Sequence, residues 1–499
     1  METKRKVCVN LTKERIKSFI LILLIINSIN LTVQMWFDTG FLTSEEFLNS
    51  LREIPVVGSI VDWFSEEEEK TYTGQQLYDE TMKPRRVVVN GGNAREVYNK
   101  KTASYDEVMD YIDSIVGNMK STEVTVDQIT YEEWKNMFKT KSLFVDYGYE
   151  TDYKNLNRMY GMSSSSGKFS QATSFTGFII VPNGLTGKCT ICMLNEKDNT
   201  VTRHMFSANT DKLQSFIEQS TYQKQLNNTF AFEINLDTLT SAETDVERKV
   251  AFSPLTLLSI PTGSESNVIV QNNGAFKSYE EFESFSENAL TVFGYTASSL
   301  RKNVKSDGTI TFVENNATIT FYYDGTVEYS AVSKEKGLKI SNGAKTSYQA
   351  VHDVLNVVSM LWEKSEAKSK NLDYQIVSEL ADNDEGKYTI RLDNMINGTT
   401  VNYSTITGNA VMAQVEDGYI TRLVMHISDI AETSSNNESA PVLMAIDSVY
   451  EGYGKDVMVI DDVYRCYDFD ETGKGIAKWV FKLKDESEVL VVDTSEIKG

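Results

Sequence analysis

Histidine and cysteine are scarce in this chain of 499 residues, and basic charge is in deficit. The three histidines, His204, His352 and His426, stand far apart in sequence and none pairs with another at a ligand spacing, so no metal centre is expected. Of the four cysteines, Cys8 and Cys466 stand alone, while Cys189 and Cys192 form a Cys-x-x-Cys. The sequence around that pair, GKCTICMLNEKDNTVTRHMF, reads as a strand and hairpin. Residues three apart on a strand point to opposite faces, so the two thiols are expected to be buried without meeting. The net charge of -22 argues against nucleic acid or anionic lipid headgroups as partners of the bulk of the chain, because both require basic surface.

Catalytic motifs are also lacking. There is no nucleophile elbow and no His-Glu-x-x-His. The segment from Gly161 to Lys168, GMSSSSGK, has one residue too many for a phosphate loop and lacks the hydroxyl after its lysine. Ser165-x-x-Lys168 matches the first element of penicillin-binding enzymes, and Ser434-Ser435-Asn436 the second, but no Lys-Thr-Gly follows. Asp468-x-Asp470-x-x-Gly473 opens like a calcium loop, yet its twelfth position is Trp479, so it reads as a polar hairpin tip. No catalytic, cofactor or metal residues are assigned on these grounds.

What is present begins at the amino terminus. Residues 1–17 carry six basic side chains against Glu2 and Glu14, a local charge of +4, and residues 18–37 (SFILILLIINSINLTVQMWF) carry none. Twenty helical residues span about 30 Å, the thickness of a hydrocarbon core. The basic flank precedes this run and acidic residues follow it, which predicts a cytoplasmic amino terminus and an extracytoplasmic bulk. Trp36 and Phe37 fall where an interfacial anchor belongs. No small-x-small cleavage pattern follows, so an uncleaved anchor is expected rather than a secretory signal. Asn27, Asn30 and Gln34 share one stripe of this helix. Buried amides there would seek a neighbouring transmembrane helix, at about 0.6–2 kcal/mol per contact.

Beyond the anchor, an acidic stalk is expected over 38–84, an N-terminal α+β domain over 85–265, a helix-plus-meander module over 266–370 and a C-terminal α+β module over 371–499. Capping boxes at Ser104/Glu107 and Thr130/Glu133, and a further cap at Ser278/Glu281, mark helix starts. Helical periodicity follows each. TITFVE, ATITFYY and TVEYSAV alternate as one-face-buried strands do, with a hairpin signal at Asp324-Gly325. A helix from about Ser347 and another after Ser439, each followed by strands, repeat the scheme. The fold class is α+β, antiparallel sheets with helices on one face.

The opening LTKERIKSFILILLIINSINLTVQMWF, together with TYEEWKNMFKTKSLFVDYG and the α+β modules behind it, resembles the YycH (WalH) family. That resemblance implies a membrane protein of low-GC Gram-positive bacteria that works with a sister protein, YycI. It implies binding to the sensor histidine kinase WalK (YycG), which controls cell-wall metabolism, and no catalytic residues. The longer basic tail and the acidic stalk depart from a typical member. The alternatives are a cell-envelope enzyme such as a wall-polymer hydrolase, and a structural or adhesive surface protein.

Overall fold

The structure, a computed structural model, describes residues 73–492 apart from 93, 103, 163–168, 170–173, 184–185, 196, 222–227, 234–248, 260–264, 341–345, 366–372, 378–385, 397, 404–407, 440, 454–456 and 485–488. The expected basic tail, membrane helix and most of the expected stalk lie outside the described residues. Among those described, no helix is long and apolar enough to cross a membrane. The last part of the expected stalk is folded into the body. There α1 (Gly74–Thr81) starts at a capping box: the Thr73 hydroxyl accepts from the Gln76 backbone N–H, and the Gln76 side chain accepts from Thr73 N–H. Leu77 and Tyr78 on this helix are buried, which is why the segment does not stand off as a spacer.

The first sheet contains β1 (Arg86–Asn90), β2 (Arg95–Asn99), β3 (Val124–Ile129), β4 (Ser142–Thr151), β5 (Phe175–Asn183), β6 (Lys188–Asn195) and β7 (Thr200–Ser207). All are antiparallel, in the order β2-β1-β4-β5-β6-β7-β3. Alternation along each strand splits its apolar residues between two faces. Val87, Val89, Leu143, Val145, Phe178, Ile180, Cys189 and Ile191 join one core with α2 (Tyr105–Ser121). Val88, Phe144, Ile179 and Cys192 join another with Trp134 of α3 (Tyr131–Met137) and with Phe138 and Phe230. Cys189 and Cys192 therefore lie on opposite faces, both buried and both free, as their spacing implies. The Thr130/Glu133 box is formed, but Ser104 makes no side-chain cap: its backbone is already helical, which turns the hydroxyl away from the first free amides. Two more helices, α4 (Tyr153–Met159) and α5 (Asp211–Thr221), complete this half.

The second half is one large sheet. Behind the small pair β8 (Asn228–Phe230) and β10 (Leu257–Ser259), with β9 (Lys249–Phe252) between them in sequence, come β11 (Glu265–Asn272) and a meander of β12 (Arg301–Val304), β13 (Ile310–Val313), β14 (Ala317–Phe321) and β15 (Thr326–Ala331). Then follow β16 (Leu338–Lys339), β17 (Tyr374–Ile376), β18 (Lys387–Ile396), β19 (Thr399–Val401), β20 (Val411–Glu416), β21 (Tyr419–His426) and β22 (Ile430–Ser439). The last are β23 (Val457–Phe469), β24 (Lys474–Leu483) and β25 (Val489–Val492). The helix-then-meander scheme is realised. The helix α6 (Tyr279–Ala289) covers the first meander, with the Phe285 ring edge-on to Phe321 at 5.8 Å. A later helix, α8 (Val442–Tyr453), covers Ile460, Val463 and Phe481. Two expectations are corrected. Strands β15 and β21 are hydrogen-bonded neighbours, so residues on either side of the 370/371 boundary share one sheet. Pairing is not wholly antiparallel, because β9 and β19 each run parallel to β23. These partners are far apart in sequence, so short loops do not restrict them.

Between the halves lies α7 (Ser347–Lys364). Ala350, Val351, Val354, Leu355, Val357, Val358 and Leu361 on it are all 0–1% exposed, while Gln349, His352, Asp353, Asn356 and Glu363 share the opposite stripe, so the helix is amphipathic with a wide apolar face in the core. The helix α1 packs along it, with Tyr78 edge-on to Tyr348 at 5.0 Å. One apolar cluster runs from the first sheet through α7 to the second. Leu355→Ala is expected to lower unfolding free energy by about 2–5 kcal/mol in urea titration. Met360→Ala, on the same helix but 40% exposed, is expected to stay within about 0.5 kcal/mol.

Candidate functional site

The residues singled out in sequence for partner contact, Asn27, Asn30 and Gln34, and for interfacial anchoring, Trp36 and Phe37, lie outside the described residues. So does most of the serine-rich stretch, 163–168. At its end Phe169 is buried, its N–H donating to the Asn157 side-chain oxygen (3.3 Å) and its carbonyl accepting from the Asn157 amide (2.8 Å). The Asp468–Gly473 segment is a polar hairpin tip. Asp470 accepts from the Thr472 hydroxyl (2.6 Å) and from the backbone N–H groups of Thr472 and Lys474, and Gly473 has a φ of +78°.

A cleft of about 540 Å³ opens between the first sheet and the C-terminal strands. Its floor is an ion network. Arg86 and Asp146 face one another across β1 and β4, and Arg86 Nε donates to Asp146 Oδ2 at 2.7 Å. Arg85, one residue earlier, donates from Nε to the same oxygen at 3.0 Å and from Nη1 to Asp462 Oδ2 at 2.5 Å. Asp462 belongs to β23, so Arg85 ties the two halves. A second tie joins Lys100 to Asp373 and to the Tyr374 carbonyl.

Two backbone irregularities shape this network. The pairing of β23 with β24 shifts register between Ile460 and Asp462. On a regular strand Asp461 and Asp462 would point to opposite faces; the shift brings both to the cleft lining. Asp461 accepts the Ser253 hydroxyl at 2.8 Å while Asp462 meets Arg85. On the other wall, Gly148 has a φ of +75°, and its N–H donates to Asp146 Oδ1 at 2.9 Å. A β-carbon there would lie 2.5 Å from the Arg85 side chain, so the turn requires glycine.

Burial opposes charge at Arg85, but the Asp146 and Asp462 carboxylates hold its pKa above the ordinary arginine value. Burial raises Asp462, and Arg85 with Arg86 more than reverses this, leaving it below the usual carboxylate range. Arg86 is lowered by burial and by the neighbouring charge of Arg85. Around this floor stand Lys197, paired with Glu150 at 2.9 Å, and Lys482 and Lys484. The Ser253 hydroxyl in the cleft wall is held by the Asp461 carboxylate. Charged groups of both signs with hydroxyls between them suit recognition of a polar, charged segment. Sequence reading missed this site, since two adjacent aspartates among 71 acidic residues carry no signal without the strand register.

Among solved structures the chain is similar in fold to YycH from Bacillus subtilis, with a TM-score of 0.54 and 11% identity, covering 84% of this chain and 97% of that one. An uncharacterized protein from Eubacterium rectale is similar at a TM-score of 0.32 and 13% identity, over 52% of this chain and 91% of that one. No family model and no curated protein matches the sequence. The resemblance to YycH read from the amino-terminal residues and the module order holds at the level of the fold.

Asp462 contributes stability that is complete above its unfolded value near 3.9 and is lost as pH falls through its lower folded value. Asp462→Asn is therefore expected to flatten the acid branch of the stability profile below about pH 4. At neutral pH it should cost about 3 kcal/mol, the lower end for a broken buried pair because Arg85 keeps Asp146. Chemical denaturation at a series of pH values reads both; an unchanged acid branch would remove Asp462 from the network.

Proposed function

We propose that this chain is a non-enzymatic, membrane-anchored regulator of a sensor histidine kinase, with its described domains outside the cell. The observation that carries this reading is the fold shared with YycH over nearly the whole of that protein. The charge-free 18–37 segment and its basic flank support the anchor and its orientation. The cleft supports a binding rather than a catalytic role, being built from paired charges at a seam between two sheets.

In this mechanism the Asn27, Asn30 and Gln34 stripe packs against a helix of the kinase, of the WalK (YycG) type, or of a YycI-like sister protein. The extracytoplasmic domains dock the kinase's sensor region. Bias between kinase states requires contacts whose energy differs between those states. The seam crossed by Arg85 is suited to this, because a small change in the angle between the sheets alters a desolvated ion network. Cell-wall metabolism is the process such a kinase would control.

Photo-crosslinking residues placed at 27, 30 and 34 in the native membrane are expected to trap a histidine kinase or a YycI-like helix, identified by mass spectrometry of the adduct. Leucine at all three positions should reduce co-purification of the same partner. Adducts with neither, and full co-purification of the leucine variant, would remove the helix-pairing mechanism.

A further inference from the structure

A smaller opening of about 200 Å³ lies on the other side of the molecule's central helix, bordered by the turn at 290–293 and by β16. Asp353, Asn356, Val357 and Met360 of α7 line it at i, i+3, i+4 and i+7, which is one stripe of the helix. Val292 and Leu338 stand opposite. Apolar and polar side chains line it in about equal measure, Lys339, Asp353 and Asn356 being the polar ones, and Met360 is 40% exposed.

One carboxylate lines this slot. Asp353 is 5% exposed, and its Oδ1 accepts from Gln349 Nε2 at 2.9 Å. Its Oδ2 is buried with no hydrogen-bond partner. His352 is beside it but does not complete it. Its Nε2 lies 3.2 Å from the Gln75 side-chain oxygen, and its Nδ1 lies 3.2 Å from Asn356 Nδ2 and 3.4 Å from Asp353 Oδ1, so it meets the oxygen that Gln349 already reaches and not Oδ2. Lys339 lines the opening, yet among the described residues no ion pair joins it to Asp353. A buried carboxylate oxygen with no donor of its own is costly unless a cation meets it. A volume of this size exceeds one water by roughly sixfold, at about 30 Å³ per water. A slot that offers both apolar side chains and a carboxylate matches a long basic side chain, whose methylene stem packs while its head is paired.

We propose that this slot takes an arginine or lysine side chain presented by a partner protein, with Asp353 as its counter-ion and Val292, Leu338, Val357 and Met360 packing the stem. The strongly acidic character of the chain, -22 overall, makes a basic partner segment the complementary one. The slot's chemistry does not depend on which protein supplies that side chain, so it stands apart from the kinase reading.

The test uses the full chain in lipid nanodiscs and pentapeptides that differ only at the centre: arginine, lysine, citrulline or norleucine. Calorimetric titration is expected to show arginine and lysine binding at least about tenfold tighter than citrulline and norleucine. Asp353→Asn should erase that preference while leaving the melting temperature unchanged or higher, since it removes an uncompensated buried charge. Met360→Trp, a change at the mouth that leaves Asp353 intact, should weaken the basic peptides likewise. Equal binding of arginine and citrulline peptides, or of wild type and Asp353→Asn, would overturn the proposal. So would an Asp353→Asn melting temperature that falls, which would mean that water or Lys339 already satisfies the carboxylate. Butylguanidine binding as tightly as the arginine peptide would assign the slot to a free small cation and overturn the partner-protein reading.

Discussion

The broad apolar face of α7 has to be covered, because seven of its side chains are almost without solvent exposure. Its coat comes from residues distant in sequence: α1 from before the first sheet, α6 from the first meander, and β18 from beyond the helix itself. A chain that buries this face brings α1 and β18 against it, and residues of the first and second sheets belong to one core cluster with it. The residues expected as a stalk end, 74–81, are drawn into the body for the same reason. Tyr78 packs on Tyr348, and Asn356 approaches Gly74 so closely that any β-carbon there would clash.

Around that apolar centre, the halves are joined by charges rather than by more hydrocarbon. Arg85, Asp146 and Asp462 form one tie, and Lys100 with Asp373 the other. Buried ion pairs recover little net free energy over apolar packing, and breaking one partner is expensive. Their effect is on geometry: guanidinium and carboxylate meet well at few distances and angles, so the seam has few acceptable arrangements. The proposed docking role rests on this seam, held by a few directional contacts beside an open cleft.

Much of the local structure was legible in the sequence. Alternation gave the strands within 310–331 their buried faces, and three-residue spacing separated Cys189 from Cys192. Helical spacing from Ser347 located α7. What could not be read depends on contacts between distant segments. The polar run TSSNNES contributes to β22 only because β11, over 150 residues earlier, pairs with it. The division at 370/371 fails because β15 finds β21 across the intervening helix α7. The cleft depends on a register shift beside Asp461 and on a positive φ at Gly148, neither of which leaves a periodic trace. Ser104 matched the capping pattern without forming the cap, since the pattern does not report that its backbone is already helical.

The central claim is that the chain alters a sensor kinase by binding it. The most direct measurement is the autophosphorylation rate of that kinase, reconstituted in nanodiscs with and without the full-length chain at equal stoichiometry. The account predicts a rate that changes when the chain is present and returns to its basal value when Asn27, Asn30 and Gln34 are replaced by leucine. A rate that is the same with and without the chain, while the chain alone cleaves a wall polymer, would contradict it and assign the protein to envelope enzymology.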